Sequence, residues 1–473
     1  MLGAQLAELV DDPQPGVRDA LDLVTGLDDC LAHGFARLGE ERVTALAALA
    51  GALAATPLGE QVGEAVEKLA AGSVADAHLT ALAGGRAALL GAVHDALLAR
   101  FDAALGRTRA SWEAPPSAAT PTTGADNLLG GCRSWLRELA ITGWRGVDHD
   151  LVASVDQTVQ ALLAEQDLRR LAVLLDGLAG ELRASCPVGT MPHLPVRRWA
   201  DLWARALLLS QAGGWPHGSE PAGLVSGRLL PLGVDVHEHG TAVQVQAHGV
   251  LEPTGGAPPR LVRASVAAAK VDTIVGPALW RLLGGYPVLL GALADCRSLD
   301  VTDLPLLASG DLVWRDDQAR AGGPADPFAT ARVHLAGALA PAVPALDRHP
   351  VRIAEPVLVE GYSVTADRGR TAVTFDLDGH ALAVDVERLP ACGPLTPGLV
   401  AASSACLGLL RWDGGGWLLQ PLAVQATVKR RTTAVRGGDW ALGPTDPKVV
   451  KAEAKAGDAV AVLRERAGRL LRR

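Results

Sequence analysis

The chain has 473 residues, 49% of them hydrophobic, with a formal net charge of −8 and six cysteines. That length suits about two to four domains. The composition provides ample core, and the acidic balance argues against a generic nucleic-acid binder. No apolar run reaches the ~20 residues that cross a bilayer, so no membrane span is expected, and no signal peptide opens the chain. Cys30, Cys132, Cys186, Cys296, Cys392 and Cys406 show no paired spacing, the pattern of reduced thiols in a cytoplasmic protein. Lysine is scarce beside arginine, a bias of GC-rich bacterial genomes. Charge is uneven: acidic residues dominate residues 1–60, and Lys and Arg dominate residues 429–473.

In chain order, residues 1–107 read as an N-terminal helical region. A turn at Asp12-Pro13-Gln14-Pro15-Gly16 separates the first two helices. Ser73-Val74-Ala75-Asp76 has the form of a capping box with Asp for Glu. It opens a long helix that Gly84-Gly85 is expected to break. Residues 108–127 are small, Pro-rich and polar, and read as a linker or long loop. Residues 128–220 form a second helical region. Asp148-His149-Asp150 fits a helix start with acidic N-terminal residues.

That region ends in the helix that contains Arg197-Arg198-Trp199-Ala200-Asp201-Leu202-Trp203-Ala204-Arg205. Trp199, Leu202, Trp203, Ala206 and Leu209 recur at three- and four-residue steps, which is one helix face. Two tryptophans on that face can bury on the order of 150–250 Å² each. The face reads as a buried joint to the second half of the chain. The other reading is an exposed ridge of Arg197, Arg198, Arg205, Trp199 and Trp203 for a protein partner. The Gly213–Gly218 cluster then marks a change of structural period.

Residues 221–445 alternate apolar and polar residues and read as an antiparallel β barrel or sandwich, with possible modules at 221–320 and 331–445. A two-residue turn at His239-Gly240 sets Val236 against Val243 and Val234 against Val245. Asp378-Gly379 is a specific hairpin signal and sets Phe375 against Leu382 and Val373 against Val384. A further hairpin joins Leu407–Trp412 to Trp417–Gln420 through Asp413-Gly414-Gly415-Gly416. Residues 446–473 end the chain as a basic helix. The fold class expected is therefore α+β: an all-α array or bundle, then antiparallel β modules and a C-terminal helix.

Three sets of residues could carry function. His237 and His239 share a strand face and, with His248, could ligate zinc; the hairpin register instead sets His239 in the turn and makes His237 and His248 part of a solvated face. Trp412, Trp417, Lys429, Arg430, Arg431 and Arg436 could stack and track single-stranded nucleic acid; the alternative is a basic sheet edge that blocks edge pairing. The arginine and tryptophan ridge is the third. The chain has no phosphate-binding loop, dinucleotide fingerprint, nucleophile elbow, His-Glu-x-x-His or Cys-x-x-Cys. No catalytic residue can be named, and no cofactor is expected.

The Arg197–Arg205 segment, with Leu409-Leu410-Arg411-Trp412-Asp413-Gly414-Gly415-Gly416-Trp417 and the helix-then-strand order, resembles uncharacterised actinobacterial proteins. Those proteins accompany MoxR-type AAA ATPases, von Willebrand A-domain proteins and SWIM zinc-finger proteins. The chain lacks the SWIM cysteine and histidine pattern, the ATPase loop and an Asp-x-Ser-x-Ser metal site. The resemblance implies a non-enzymatic adaptor or scaffold whose protein partners, an AAA ATPase among them, supply nucleotide hydrolysis. A nucleic-acid-binding module and a metal-dependent enzyme at the His237/His248 hairpin are the alternatives.

Overall fold

A computed structural model describes residues 1–10, 16–113, 126–211, 221–348, 353–369, 372–413, 415–428, 431–456 and 460–461. The fold is α+β. The helical half comprises α1 (Gly3–Val10), α2 (Val17–His33), α3 (Glu40–Leu53), α4 (Gly59–Ala70), α5 (Asp76–Leu105), α6 (Asp126–Thr142), α7 (His149–Ala153), α8 (Asp156–Ala164), α9 (Arg169–Ser185) and α10 (Val196–Leu209). One sheet then follows: β1 (Pro221–Glu238), β2 (Ala242–Pro253), β3 (Arg260–Ala269), the helices α11 (Leu279–Leu282) and α12 (Pro287–Ala294), β4 (Arg297–Leu307), β5 (Asp311–Leu312) and β6 (Ala319–Pro324). After α13 (Pro327–His334) comes the second sheet: β7 (Ala354–Glu360), β8 (Ser363–Ala366), β9 (Val373–Leu377), β10 (His380–Val384), α14 (Pro397–Ala401), β11 (Ser403–Asp413), β12 (Gly416–Val428) and β13 (Arg431–Arg436). A helix α15 (Pro447–Ala456) follows the second sheet.

The sheets order as β1-β2-β3-β5-β4-β6, with β1 also pairing β4, and as β7-β11-β12-β10-β9-β8, with β13 on β12. Most pairings are antiparallel; β3–β5 and β10–β12 are parallel. The two sheets pack face to face as a sandwich around Leu232, Val250, Phe328, Leu407 and Ala423. The outer face of the first sheet is covered by α11 and α12 through Trp280, Leu289 and Leu293. The outer face of the second is covered by α1 and the end of α5 through Leu6, Leu9, Leu97 and Phe101.

Helix α5 organises this stack. Its 30 residues span about 45 Å at 1.5 Å per residue. Its first half contributes Leu79, Leu82 and Ala83 to the helical core. Its second half contributes Val93, Leu97, Leu98 and Phe101 to the core over the second sheet. The expected break at Gly84-Gly85 does not occur. A Cβ on Gly85 would lie 2.8 Å from Leu53 Cδ1, so this glycine lets α3 approach α5 closely. Asp76 begins the helix without a capping bond and pairs with Arg137 at 3.2 Å. Just beyond the helix, Arg107 stacks over Phe101, donates to the Leu335 carbonyl at 3.1 Å and also bonds the Pro356 carbonyl. Arg109 grips Asp102 and Glu355. These arginines tie the helical half to the sandwich.

That joint was expected at α10, and the structure moves it. Trp199 and Trp203 lie at 1% and 0% exposure within the helical core. Trp203 Nε1 donates to the Leu136 carbonyl at 2.9 Å, and Trp144 packs edge-on to Trp199. The same core runs from Leu27 to Leu208, so the two expected helical regions form one bundle. Within the intervening linker, Arg109 makes a β-bridge to Ala340; residues 114–125 lie outside the described residues, as does the Gly213–Gly218 cluster.

At the centre of the bundle sits Arg86, 1% exposed. Its Nε and Nη2 donate to Asp28 Oδ1 and Oδ2 at 2.7 and 3.2 Å, and Nη2 also reaches the Arg197 carbonyl at 3.3 Å. Asp201 stands 3.5 Å from Nη1. Burial works against the charge on Arg86, but Asp28 and Asp201 hold the guanidinium protonated, above its ordinary value. Removing one partner of such a pair leaves a buried charge uncompensated, at a cost of about 3–5 kcal/mol. Arg86→Met should lower stability by about that amount in urea titrations, and adding Asp28→Leu should restore most of it. A double variant as unstable as the single one would show that the pair is not what the bundle needs.

Candidate functional site

The face of α5 away from the bundle centre carries Ala77, Ala81, Gly84, Ala88 and Ala92. Steps of three and four residues align them along one side of the helix. With side chains this small, the face forms the floor of a trough and leaves the walls to its neighbours. Gln61, Glu64 and Ala65 of α4 form one wall; Leu208 of α10 with Gln211, and Ala345, Leu346 and Arg348, form the other. The trough has a volume of about 950 Å³. Leu346 separates it from a second hollow of about 400 Å³, lined by Arg169, Arg170 and Val173 of α9, Arg205 and Leu209 of α10, and Asp347. The trough has an apolar floor, and the second hollow is basic. Spacing was the one signal in the sequence that could have revealed the trough, and the glycines within it were instead read as a helix break.

A different kind of polar site lies in the seam of the sandwich. At Gly233, β1 crosses β12 so closely that a Cβ would lie 2.7 Å from Leu422 Cβ. Two residues on, Asp235 is buried against the second sheet and accepts from Gln420 Nε2 at 2.7 Å. His237 Nε2 lies 3.1 Å from the other carboxylate oxygen, and Arg411 Nη1 is 3.6 Å from it while donating to Gln420 Oε1 at 2.8 Å. Burial alone would raise the Asp235 carboxyl. The hydrogen bonds and charges of His237 and Gln420, with His248, hold it well below the usual carboxylate range. His248 pairs in register with Gly233 and Arg263. It is 3% exposed, and its Nε2 has no hydrogen-bond partner among the described residues. Burial, then the charges of Arg263 and Arg411, push it down to about 3 against the pull of Asp235.

The three histidines considered for zinc are not brought together. His237 serves Asp235, His248 is sealed in the seam, and His239 is exposed beyond the strand end. Among the described residues no group of three His, Cys, Asp or Glu could hold a metal ion. The first hairpin pairs Val236 with Val245 and Val234 with Ala247, two positions away from the expected register, because the turn lies one residue later: His239 N–H donates to the Ala242 carbonyl, and Gly240 and Thr241 form the turn. A shift of two keeps every side chain on its face, so Asp235 still points with His237. The second hairpin has the expected register, Phe375 with Leu382 and Val373 with Val384, around Asp378 and Gly379 at positive φ.

The nucleic-acid set is corrected in part. Trp412 and Trp417 pair across the third hairpin, meet edge-on at 5.3 Å and are buried, with Trp417 stacked on Phe101. These rings serve the core and offer no face to a base. Arg436 is bound to Asp439 and touches Cys296. Arg431 begins β13, and Lys429 and Arg430 lie outside the described residues. The α10 ridge is corrected likewise. Its tryptophans are buried, Arg205 is buried and lies 3.3 Å from Asp201, Arg197 lends its carbonyl to Arg86, and Arg198 is held by Glu181 at the surface. Of the five, Arg205 alone lines a hollow.

No protein-family model matches the chain, and no curated protein or solved structure matches it significantly. Among the described residues no helix is long and apolar enough to cross a membrane.

The seam gives a pH prediction. The unfolded state binds a proton at His248 near the ordinary histidine value of about 6.5, whereas the folded state refuses it until about 3. Between those values the unfolded chain holds more protons, so the stability present above pH 6.5 is lost as pH falls. From pH 7 to 4.5 the wild-type chain should lose about 2.5 kcal/mol through this group alone. His248→Leu should flatten that part of the urea-midpoint profile. Parallel profiles in the two proteins would remove His248 as the cause.

Proposed function

We propose that the chain is a non-enzymatic cytoplasmic scaffold that receives a helical segment of a protein partner in the α4–α5 trough. The observation that carries this reading is the trough floor. Alanine and glycine at 77, 81, 84, 88 and 92 line about 950 Å³ of open groove without large side chains in the way. An amphipathic helix docks in such a groove by laying its apolar face on the floor, and small residues let the two backbones come close. Walls from α4 and α10 pack on the helical core that holds Arg86, so these two sides of the groove are preformed and carry little ordering cost at binding. Polar rim residues such as Gln61, Glu64 and Asp95 supply orientation. The resemblance to companions of MoxR-type ATPases makes such an ATPase the first partner to test.

Ala88 is exposed on the floor, so Ala88→Trp fills the groove without disturbing a core. The wild-type full chain, used as bait with the co-expressed ATPase, should retain it. The Ala88→Trp chain should retain at least about tenfold less, equivalent to 1.4 kcal/mol of binding, with an unchanged melting temperature. Equal retention by both chains would remove the trough from function, and no retention by the wild type would remove the ATPase as partner.

A further inference from the structure

Residues 341–348 leave the sandwich after α13 and cross the helical bundle as a strap. The strap is anchored at its start, where Arg109 donates to the Pro341 carbonyl at 2.9 Å. Its last three residues each make a distinct contact. Leu346 packs on the helical core and forms the wall between the two hollows. Asp347 accepts from Arg170 at 3.1 Å. Arg348 donates to Asp95 at 3.0 Å and lies over the Trp112 ring. The backbone N–H groups of Asp347 and Arg348 bond back to the strap itself, at Pro344 and Ala345. Side chains alone therefore fix this end to the helices. Every strap residue is half-exposed, and ion pairs at such positions hold weakly.

The surface under the strap is built for more than the strap uses. Arg169 and Arg170 both line the hollow that holds Asp347, where Arg205 pairs instead with Asp201, and the trough continues beyond Leu346 along α5. We infer that the strap occupies, in a displaceable manner, the position of a partner segment with the pattern aliphatic, acidic, basic, which binds through the Leu346, Asp347 and Arg348 positions. The inference rests on the trough as the partner site and assigns the chemistry of the partner there. Charge decides the pattern: the acidic residue answers Arg169 and Arg170, and the basic residue answers Asp95. Displacing Leu346 joins the two hollows into one continuous groove. A partner must then outcompete the strap, which lowers its apparent affinity by the fraction of chains with the strap docked.

The test uses a fluorescein-labelled peptide copy of residues 341–348 and the full-length chain, read by anisotropy. A Leu346→Ala/Asp347→Ala chain, with its strap weakened, should bind the peptide at least about tenfold more tightly than the wild type. Arg170→Glu in that background should abolish the gain, as should a peptide with Lys at the Asp position. Should the double variant fail to fold, Asp347→Lys alone releases the strap by charge reversal against Arg170. Equal affinity for wild-type and released chains, or binding indifferent to Arg170→Glu, overturns the inference, as does a peptide that binds neither chain. Ala88→Trp leaves the Arg170–Asp347 pair in the second hollow unchanged. Loss of the partner in Ala88→Trp beside a peptide indifferent to the strap would therefore sink the strap and keep the trough. The opposite result would sink the trough alone.

Discussion

One helix has to satisfy two cores at once, and the rest of the molecule is arranged around that constraint. The first half of α5 lies in the helical bundle and its second half lies over the second sheet. A rod of about 45 Å cannot be shifted or rotated to suit one core without exposing apolar side chains in the other. Arg86 fixes its rotation in the bundle by binding Asp28. Arg107 and Arg109 fix its far end against Pro356 and Glu355. The uncommitted face of the helix is the row of alanines and glycines that floors the trough.

The sandwich uses buried polarity in a second way. Its seam is mostly apolar, but one end is closed by Asp235, Gln420, Arg411 and His237. A buried carboxylate tolerates little misalignment, since each oxygen must keep its donors. The cluster therefore specifies how the sheets cross, at the point where Gly233 lets them touch. The unpartnered Nε2 of His248 in the same seam makes that crossing sensitive to acid. His237 and His248, two of the histidines the sequence offered as zinc ligands, lie in the same seam as Asp235.

Hairpins with a specific turn were legible at full register. Asp378-Gly379 requires positive φ at two residues, which few residues adopt, so turn and pairing follow together. The His239-Gly240 hairpin was legible only to its face, because moving the two-residue turn on by one residue shifts the register by two and leaves the alternation unchanged. The α10 periodicity correctly marked a buried face. The partner of that face was not written in it: Trp203 meets Leu136 and Trp199 meets Trp144, contacts with other helices that no local pattern announces. Trp412 and Trp417 misled for the same reason, since their burial depends on Phe101 in a distant helix.

By itself, the sequence determined the α+β class, the change from a helical to a strand period, the turns with demanding backbone geometry, and the absence of several common catalytic motifs. These are local properties, set by periodicity and by the conformational limits of glycine, proline and aspartate. Tertiary structure decided the rest. Asp28 and Arg86 stand 58 positions apart, Asp235 and Gln420 185, and Arg107 and Pro356 249. Which charges are buried and which are paired depends on elements that meet only after folding. The trough follows the same logic: five small residues record an open face, and only the placement of α4, α10 and the strap turns that face into a groove.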